Sequence, residues 1–271
     1  MTEPIAVLGA TGTTGRRLTT RLREQGCAVR PLSRSTTPPF DWTVPPTWKP
    51  AVSGSTALYL MAPDGVPVDR DFVRLAVDSG VRRIVLLSSG AIEEMGDTRL
   101  LDAERAVRES GAEWTVLRAG WMDQNFDEGF FRDAVLAGEL AVPVGNLRQA
   151  FVDAQDVADV AAAVLTGAGH GGRTYDVLGP EALGFAEALA VVGRAGGRVV
   201  RFSGDPDAYL DTQLGLGRER AEVEAEVAAF QALAARGDDV PDDSVPRLTG
   251  RPATTFGEYA RRAAAAGAWR D

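Results

Sequence analysis

A short apolar strand that runs directly into a glycine-punctuated helix start limits this chain more than any other feature. It reads Ile5-Ala6-Val7-Leu8-Gly9-Ala10-Thr11-Gly12-Thr13-Thr14-Gly15-Arg16-Arg17-Leu18. The spacing Gly9-x-x-Gly12-x-x-Gly15 allows a sharp turn after the strand, a close backbone approach to an anion, and tight packing of helix on sheet. Amide N–H groups at the helix start then face the anion, and the helix dipole adds to the attraction. Leu18 and Leu22 continue a helical pattern that Gly26 stops, so the motif sits in the strand-turn-helix context that a dinucleotide pyrophosphate requires. Gly9, Thr11, Gly12, Thr13, Thr14 and Gly15 are therefore the candidate cofactor contacts.

The same grammar of helix, glycine stop and short strand recurs at Gly26 before Ala28–Leu32, at Gly80 before Ile84–Leu87 and at Gly111 before Trp114–Leu117. Ala57–Met61 supplies another strand, followed by Ala62 and Pro63 at its carboxyl end, two further candidate cofactor contacts. Runs this short cannot be helices, and right-handed crossovers between them predict an α/β fold: a doubly wound parallel Rossmann sheet with a smaller, mostly helical C-terminal substrate-binding region. The expected division is residues 1–155 for the nucleotide domain and 156–271 for the substrate region, with one helix and one strand over about 156–178 returning to the sheet. Between Pro38 and Pro50 the prolines permit an extended piece at Phe40–Trp42 and a brief helix near Thr47. Asp153 is a plausible cap for a helix through Leu165, and Thr255-x-x-Glu258 is a capping box for a terminal helix.

A net charge of −9 argues against nucleic acid or an anionic membrane as partner. The chain has neither a leader pattern nor an apolar run near eighteen residues, which predicts a cytoplasmic protein, monomer or homodimer, acting on a small molecule. One cysteine, Cys27, allows no internal disulfide, and one histidine, His170, cannot build a histidine-rich metal site; no metal is expected.

After the second strand come Ser33, Arg34 and Ser35, where an NAD-preferring site places an acid against the ribose diol. No acid occurs before Asp41, and Arg34 offers a fixed cationic fork for a 2′-phosphate, so the expected cofactor is NADP(H). Ser88 and Ser89 end the Ile84 strand and should place a hydroxyl in the catalytic crevice, either as an active group or as a turn cap. In the turn Ala119-Gly120-Trp121-Met122-Asp123-Gln124-Asn125-Phe126, the small Ala119 and Gly120 would let a flat cofactor ring approach. Trp121, Asn125 and Phe126, with Ser89, are the candidate substrate contacts. Trp121 and Phe126 would wall the pocket. Ser88 is a candidate for both catalysis and cofactor contact, and Asp123 is the second catalytic candidate, a carboxylate on an otherwise apolar turn at the expected pocket mouth, where it would favour a positively charged substrate.

With these residues in place, the chain resembles the NmrA-like group of atypical short-chain dehydrogenase/reductases, and within it the ergot alkaloid biosynthesis (festuclavine dehydrogenase-like) branch. The stretches that carry the resemblance are Val7–Arg17, Val85–Glu93, Trp114–Arg118, Gln124–Phe126, Phe151–Ala158 and Thr249–Pro252. Ordinary members of the wider superfamily use a Tyr-x-x-x-Lys pair about a dozen residues past the strand-end serine. Here that region reads Leu100-Leu101-Asp102-Ala103-Glu104-Arg105, and the one lysine, Lys49, lies four residues after Pro45. Carbonyl reduction leaves an alkoxide that must be protonated, whereas hydride addition to an iminium ion gives a neutral amine and needs no donor. The expectation is an NADPH-dependent reductase of an iminium, conjugated or quinone-like secondary metabolite. Two alternatives stay open: a dinucleotide-binding redox sensor without turnover, and a non-redox epimerase, dehydratase or cyclase on the same fold.

Overall fold

The glycine-stopped apolar runs become neighbouring strands of one parallel sheet. The computed structural model describes residues 3–270. The first half alternates strand and helix: β1 (Ile5–Leu8), α1 (Thr13–Glu24), β2 (Val29–Leu32), α2 (Trp48–Val52), β3 (Ala57–Leu60), α3 (Arg70–Asp78), β4 (Arg83–Ser89), α4 (Thr98–Arg108) and β5 (Glu113–Ala119). The chain continues through α5 (Arg132–Ala137), β6 (Glu139–Ala141), β7 (Arg148–Gln149), α6 (Ala154–Thr166), β8 (Arg173–Val177), β9 (Leu183–Gly184), α7 (Phe185–Gly196) and β10 (Arg201–Ser203). It ends with α8 (Pro206–Gly215), α9 (Arg220–Arg236), α10 (Ser244–Thr249) and α11 (Phe256–Ala265). The main sheet runs β2-β1-β3-β4-β5-β8, every pair parallel. From β1 the chain goes outward to β2, then returns to the other side of β1 for β3. That reversal opens a crevice at the strands' carboxyl ends, where this class of sheet binds ligands.

Helices cover both faces, so the strands are apolar on both sides. One face buries Leu18 and Leu22 of α1 against Val157, Val160, Ala161 and Val164 of α6. The other buries Phe72, Val73 and Ala76 of α3 and Ala103 and Val107 of α4. Along β4 the pleat alternates: Val85 and Leu87 face α1 and α6, while Ile84 and Leu86 face α3 and α4. Ser88 and Ser89 therefore point to opposite faces, which decides their roles.

The Phe40–Trp42 piece forms no strand. Its rings pack edge-on with Trp48 and Phe72, with Phe40 5.1 Å from both Trp42 and Phe72, so aromatic burial has replaced sheet pairing. The caps behave as the sequence implies: Asp153 accepts the Gln155 N–H at 2.7 Å to open α6, and Thr255 and Glu258 form the reciprocal box of α11. A third apolar cluster lies outside the sheet, built from Phe126, Phe131, Phe151, Phe185, Phe230, Phe256 and Trp269 of the C-terminal region. Among the described residues no helix is long and apolar enough to cross a membrane, and no cluster of His, Cys, Asp and Glu could hold a metal ion.

Candidate active site

The cradle is shaped by two glycines with different duties. Gly9 adopts φ +65°, and a Cβ there would sit 2.5 Å from the Met61 Sδ at the end of β3. A Cβ on Gly15 would run into the Gly9 carbonyl oxygen, so that glycine lets α1 lie against the turn. Gly12 is the N-cap, its own N–H donating to the Gly9 carbonyl at 2.8 Å. No side chain caps α1 and no acid stands in its first turn, so the Thr13, Thr14 and Gly15 amides lack intrahelical partners. Thr11 is exposed above them, and the buried Thr14 hydroxyl accepts from the Tyr59 hydroxyl at 3.2 Å.

Beyond β2, Ser33, Ser35 and Thr36 fold into a small turn, with Ser33 and Ser35 hydroxyls 3.1 Å apart and the Thr36 hydroxyl accepting the Ser33 N–H at 2.8 Å. Arg34 projects from that turn, exposed and without a hydrogen bond or ion pair among the described residues. Asp41 is the acid it influences: hydrogen bonds from Thr43 hold that carboxyl below its ordinary range, and the Arg34 charge assists. Ala62 and Pro63 lie at the carboxyl end of β3, half-buried and exposed respectively.

At the edge of β4 the two serines divide. Ser88 was expected to open into the crevice; it does not. Its hydroxyl donates to the Glu104 Oε1 at 2.7 Å, and the two residues are 5% and 0% exposed. Arg118 adds bonds to both Glu104 oxygens at 2.9 and 2.8 Å, and Arg108 adds one at 2.7 Å. Burial pushes the Glu104 carboxyl up, but the bonds from Arg118 and Ser88 and the two arginine charges outweigh it and hold the group anionic. Arg118 reaches on to Glu93 at 2.7 Å. Ser88 is thus a structural donor on the α4 face. Ser89 is exposed, with a single long contact of 3.4 Å to the Gly90 carbonyl, and it is the open hydroxyl of this edge.

The turn after β5 corrects three further expectations. Gly120 is small because Ala150 O and Leu178 Cδ2 each lie 3.0 Å from where its Cβ would be, and Ala119 is 3% exposed; packing, not an approaching ring, requires both. Phe126 is not a pocket wall: it is fully buried among Phe131, Phe151, Phe185 and Phe256. Asp123 is not at a pocket mouth. It is 1% exposed, and both carboxyl oxygens are buried without a hydrogen-bond partner. Burial first, then the charges of Asp153 and Asp156, push its pKa well above the ordinary range against the weaker pull of Arg262. A carboxyl buried in this way is not presented to a substrate.

Trp121 and Asn125 remain half-buried on this turn. The turn also reaches back to the cradle, because Glu128 pairs with Arg16 and with Arg17 (2.7 Å) and accepts the Thr13 hydroxyl at 3.3 Å. Three of the four tyrosine hydroxyls are hydrogen-bonded: Tyr59 with Thr14, Tyr175 with His170 at 3.0 Å, and Tyr259 with Asp127 at 2.9 Å. Burial and the nearby Glu226 push the Tyr209 phenol above its ordinary range. None of the four has a lysine four residues later.

Comparison with known proteins decides what this cradle belongs to. Residues 9–168 match the NAD(P)H-binding family. A reductase of (4-alkanoyl-5-oxo-2,5-dihydrofuran-3-yl)methyl phosphate from Streptomyces griseus is 34% identical over 94% of this chain and 96% of its own length. An NAD(P)H azoreductase from Xenophilus azovorans is 30% identical over 97% and 98%. The chain belongs to the NAD(P)H-binding family, as an oxidoreductase. Its resemblance to the clavine branch is matched by festuclavine synthase II of Penicillium roqueforti, 27% identical over 94% of this chain and 96% of that one. The fold is that of the NADPH-dependent quinone oxidoreductase QOR2 from Escherichia coli, solved with NADPH, at a TM-score of 0.79, 20% identity, and coverage of 95% and 99%.

The residues present fit NAD(P)H, because α1 opens with uncapped amides and no acid, and glycines at 9 and 15 let the β1 turn and the helix start pack together where a Cβ would strike Met61 or the Gly9 carbonyl. Since Glu128 occupies Arg16 and Arg17, backbone amides are the open donors there. Sequence reasoning missed Glu104, Arg108, Glu128 and Phe230. The one available signal was parity in β4, where Ile84, Leu86 and Ser88 share the face that α4 covers.

Proposed function

We propose that this oxidoreductase transfers hydride from NADPH to a flat conjugated or iminium acceptor, such as a quinone, an unsaturated lactone or a cyclic imine. The observation that carries this reading is the division of the serines: Ser88 is committed to Glu104, Ser89 is the open hydroxyl at the end of β4, and Tyr59, Tyr175 and Tyr259 are hydrogen-bonded elsewhere. When bound, the cofactor supplies the hydride. The chain supplies a cradle, an orienting hydroxyl at Ser89 and an aromatic wall at Trp121. An acceptor whose hydride adduct is neutral, or is a delocalised enolate or hydroquinone anion, places little demand on an enzyme acid. The relatives reported above, which reduce azo and furanone compounds, support the same acceptor class. Arg34, exposed and unpaired beyond β2, supports NADPH over NADH.

The test follows NADPH oxidation with a naphthoquinone, an unsaturated lactone, a cyclic iminium and a saturated ketone. Turnover of at least one of the first three, well above the ketone, is expected. Ketone reduction at a comparable rate would refute the reading, and cofactor binding without turnover of any acceptor would return the sensor alternative.

A further inference from the structure

Trp121 stands two residues beyond the end of β5, whose Ala119 pairs in register with Ser89 on β4. An acceptor oxygen at Ser89 therefore brings the acceptor's ring system toward the indole. The indole is surrounded by phenylalanine rings. Phe131 lies nearly parallel, 7° off with centroids 5.5 Å apart, and Phe230 lies 30° off at 6.0 Å. Phe185 meets the indole edge-on at 5.6 Å.

Phe131 and Phe230 are held very differently. Phe131 also packs on Phe126 and Phe185 in the interior of the C-terminal cluster. Phe230 is carried on α9, and its only other ring contact is Tyr209 of α8, at 6.1 Å. Of the 17 residues of α9 only Val223, Phe230 and Leu233 are buried, so a single narrow stripe docks the helix. Left-handed glycines stand on either side of it, Gly217 at φ +82° and Gly237 at φ +94°. Outside the α8–α9 hairpin, Arg236 ties it down through Asp239 at 2.9 Å and Glu94 at 3.7 Å.

We propose that Phe230 occupies the ring seat on Trp121 into which the acceptor binds, and so determines which acceptors the enzyme takes. The inference rests on the acceptor class given under Proposed function. A ring stacked on Trp121 is replaced at least cost by another flat π-system, because stacking preserves the contacts that an aliphatic ligand of equal size would lose. The acceptor displaces Phe230 with its segment of α9, while Phe131, held by Phe126 and Phe185, keeps its own contact with the indole. Flat, extended acceptors are thereby favoured over small or puckered ones.

The test compares the unmodified protein with Phe230→Leu, which keeps an apolar side chain on the docking stripe, and uses the melting temperature to confirm that α9 stays docked. The binding probe is 2-naphthol, which is flat and is not reduced, titrated calorimetrically into the NADP+-loaded protein. Phe230→Leu should tighten 2-naphthol about tenfold and lower KM for naphthoquinone with little change in kcat. KM for a small unsaturated lactone should hardly move, and Trp121→Leu should abolish the 2-naphthol gain. Unchanged or uniformly weaker binding of 2-naphthol in a folded Phe230→Leu protein would overturn the inference, because emptying a seat that the ring occupies must raise the affinity of a flat probe for it. Tighter 2-naphthol binding without reduction of any acceptor would uphold the seat and refute the acceptor chemistry; reduction with unmoved 2-naphthol binding would do the reverse.

Discussion

Replacing Ser88 and Ser89 singly by alanine should separate stability from turnover, with the first serine affecting one and the second the other. The Ser88 hydroxyl is one of four donors to the Glu104 carboxylate, beside two bonds from Arg118 and one from Arg108. A hydrogen bond to a charged group contributes about 1.5–3 kcal/mol, and because three donors remain the lower end applies, ~1.5 kcal/mol. For a chain of this size each kcal/mol lowers Tm by about 2–4 °C, so Ser88→Ala should melt about 3–6 °C lower. Its kcat should stay within about twofold, because the hydroxyl does not face the crevice. Ser89 is exposed and makes only the 3.4 Å contact to Gly90, so Ser89→Ala should change stability by less than ~0.5 kcal/mol. Its kcat/KM should fall roughly ten- to a hundredfold, the loss of one orienting donor in the transition state. Differential scanning calorimetry and NADPH oxidation read the two effects. A Ser88→Ala protein that melts normally but has lost turnover, beside a silent Ser89→Ala, would refute the assignment of faces.

Two more expectations follow from isolated charges. Arg34→Ala should narrow the preference for NADPH over NADH by roughly ten- to a hundredfold in calorimetric titration, the worth of about 1.5–3 kcal/mol of charge-assisted bonding; equal affinities in the unmodified protein would refute the role of Arg34. Asp123→Asn should stabilise the fold at pH 8 more than at pH 4. Burial and its acidic neighbours raise the Asp123 pKa in the fold, so its contribution is complete below the unfolded carboxyl pKa of about 3.9. That contribution is lost as pH rises toward the raised folded value, a loss that asparagine escapes; a Tm difference independent of pH would refute the argument.

Much of the fold was legible because local chemistry settles it. Gly9 and Gly15 announce the cradle, and glycine after each helix followed by a short apolar run announces the parallel strands. Side-chain roles at the sheet edge were less legible because partners lie far away in sequence. Ser88 is committed by Glu104, sixteen residues on and across a helix. Asp123 reads as an open carboxylate until α6 brings Asp153 and Asp156 beside it. Phe126 looks like a wall until Phe151, Phe185 and Phe256 close around it from three separate elements. In each case the sequence identified a residue with unusual chemistry, and tertiary packing decided which way it points.

The replacement of the Tyr-x-x-x-Lys region has a consequence for mechanism that neither serine shows alone. The segment that elsewhere in the superfamily carries a tyrosine and a lysine carries here Glu104, an anion fixed by Ser88, Arg118 and Arg108, with Arg118 tied also to Glu93. Two guanidinium groups face two carboxylates, so the clamp is electrically balanced and presents no excess positive charge to acidify a neighbouring hydroxyl. It welds α4 to β4 and β5. His170 offers no substitute: its backbone carbonyl accepts from Thr115 near the start of β5, at the opposite end of the strand from Ala119. Under the proposed function the catalytic demand passes to the acceptor, which would either carry a positive charge that hydride cancels or spread the new negative charge over its own π-system. A flat molecule that meets this electronic condition would also fit the ring seat proposed at Trp121, so one substrate property would satisfy both the chemistry and the packing.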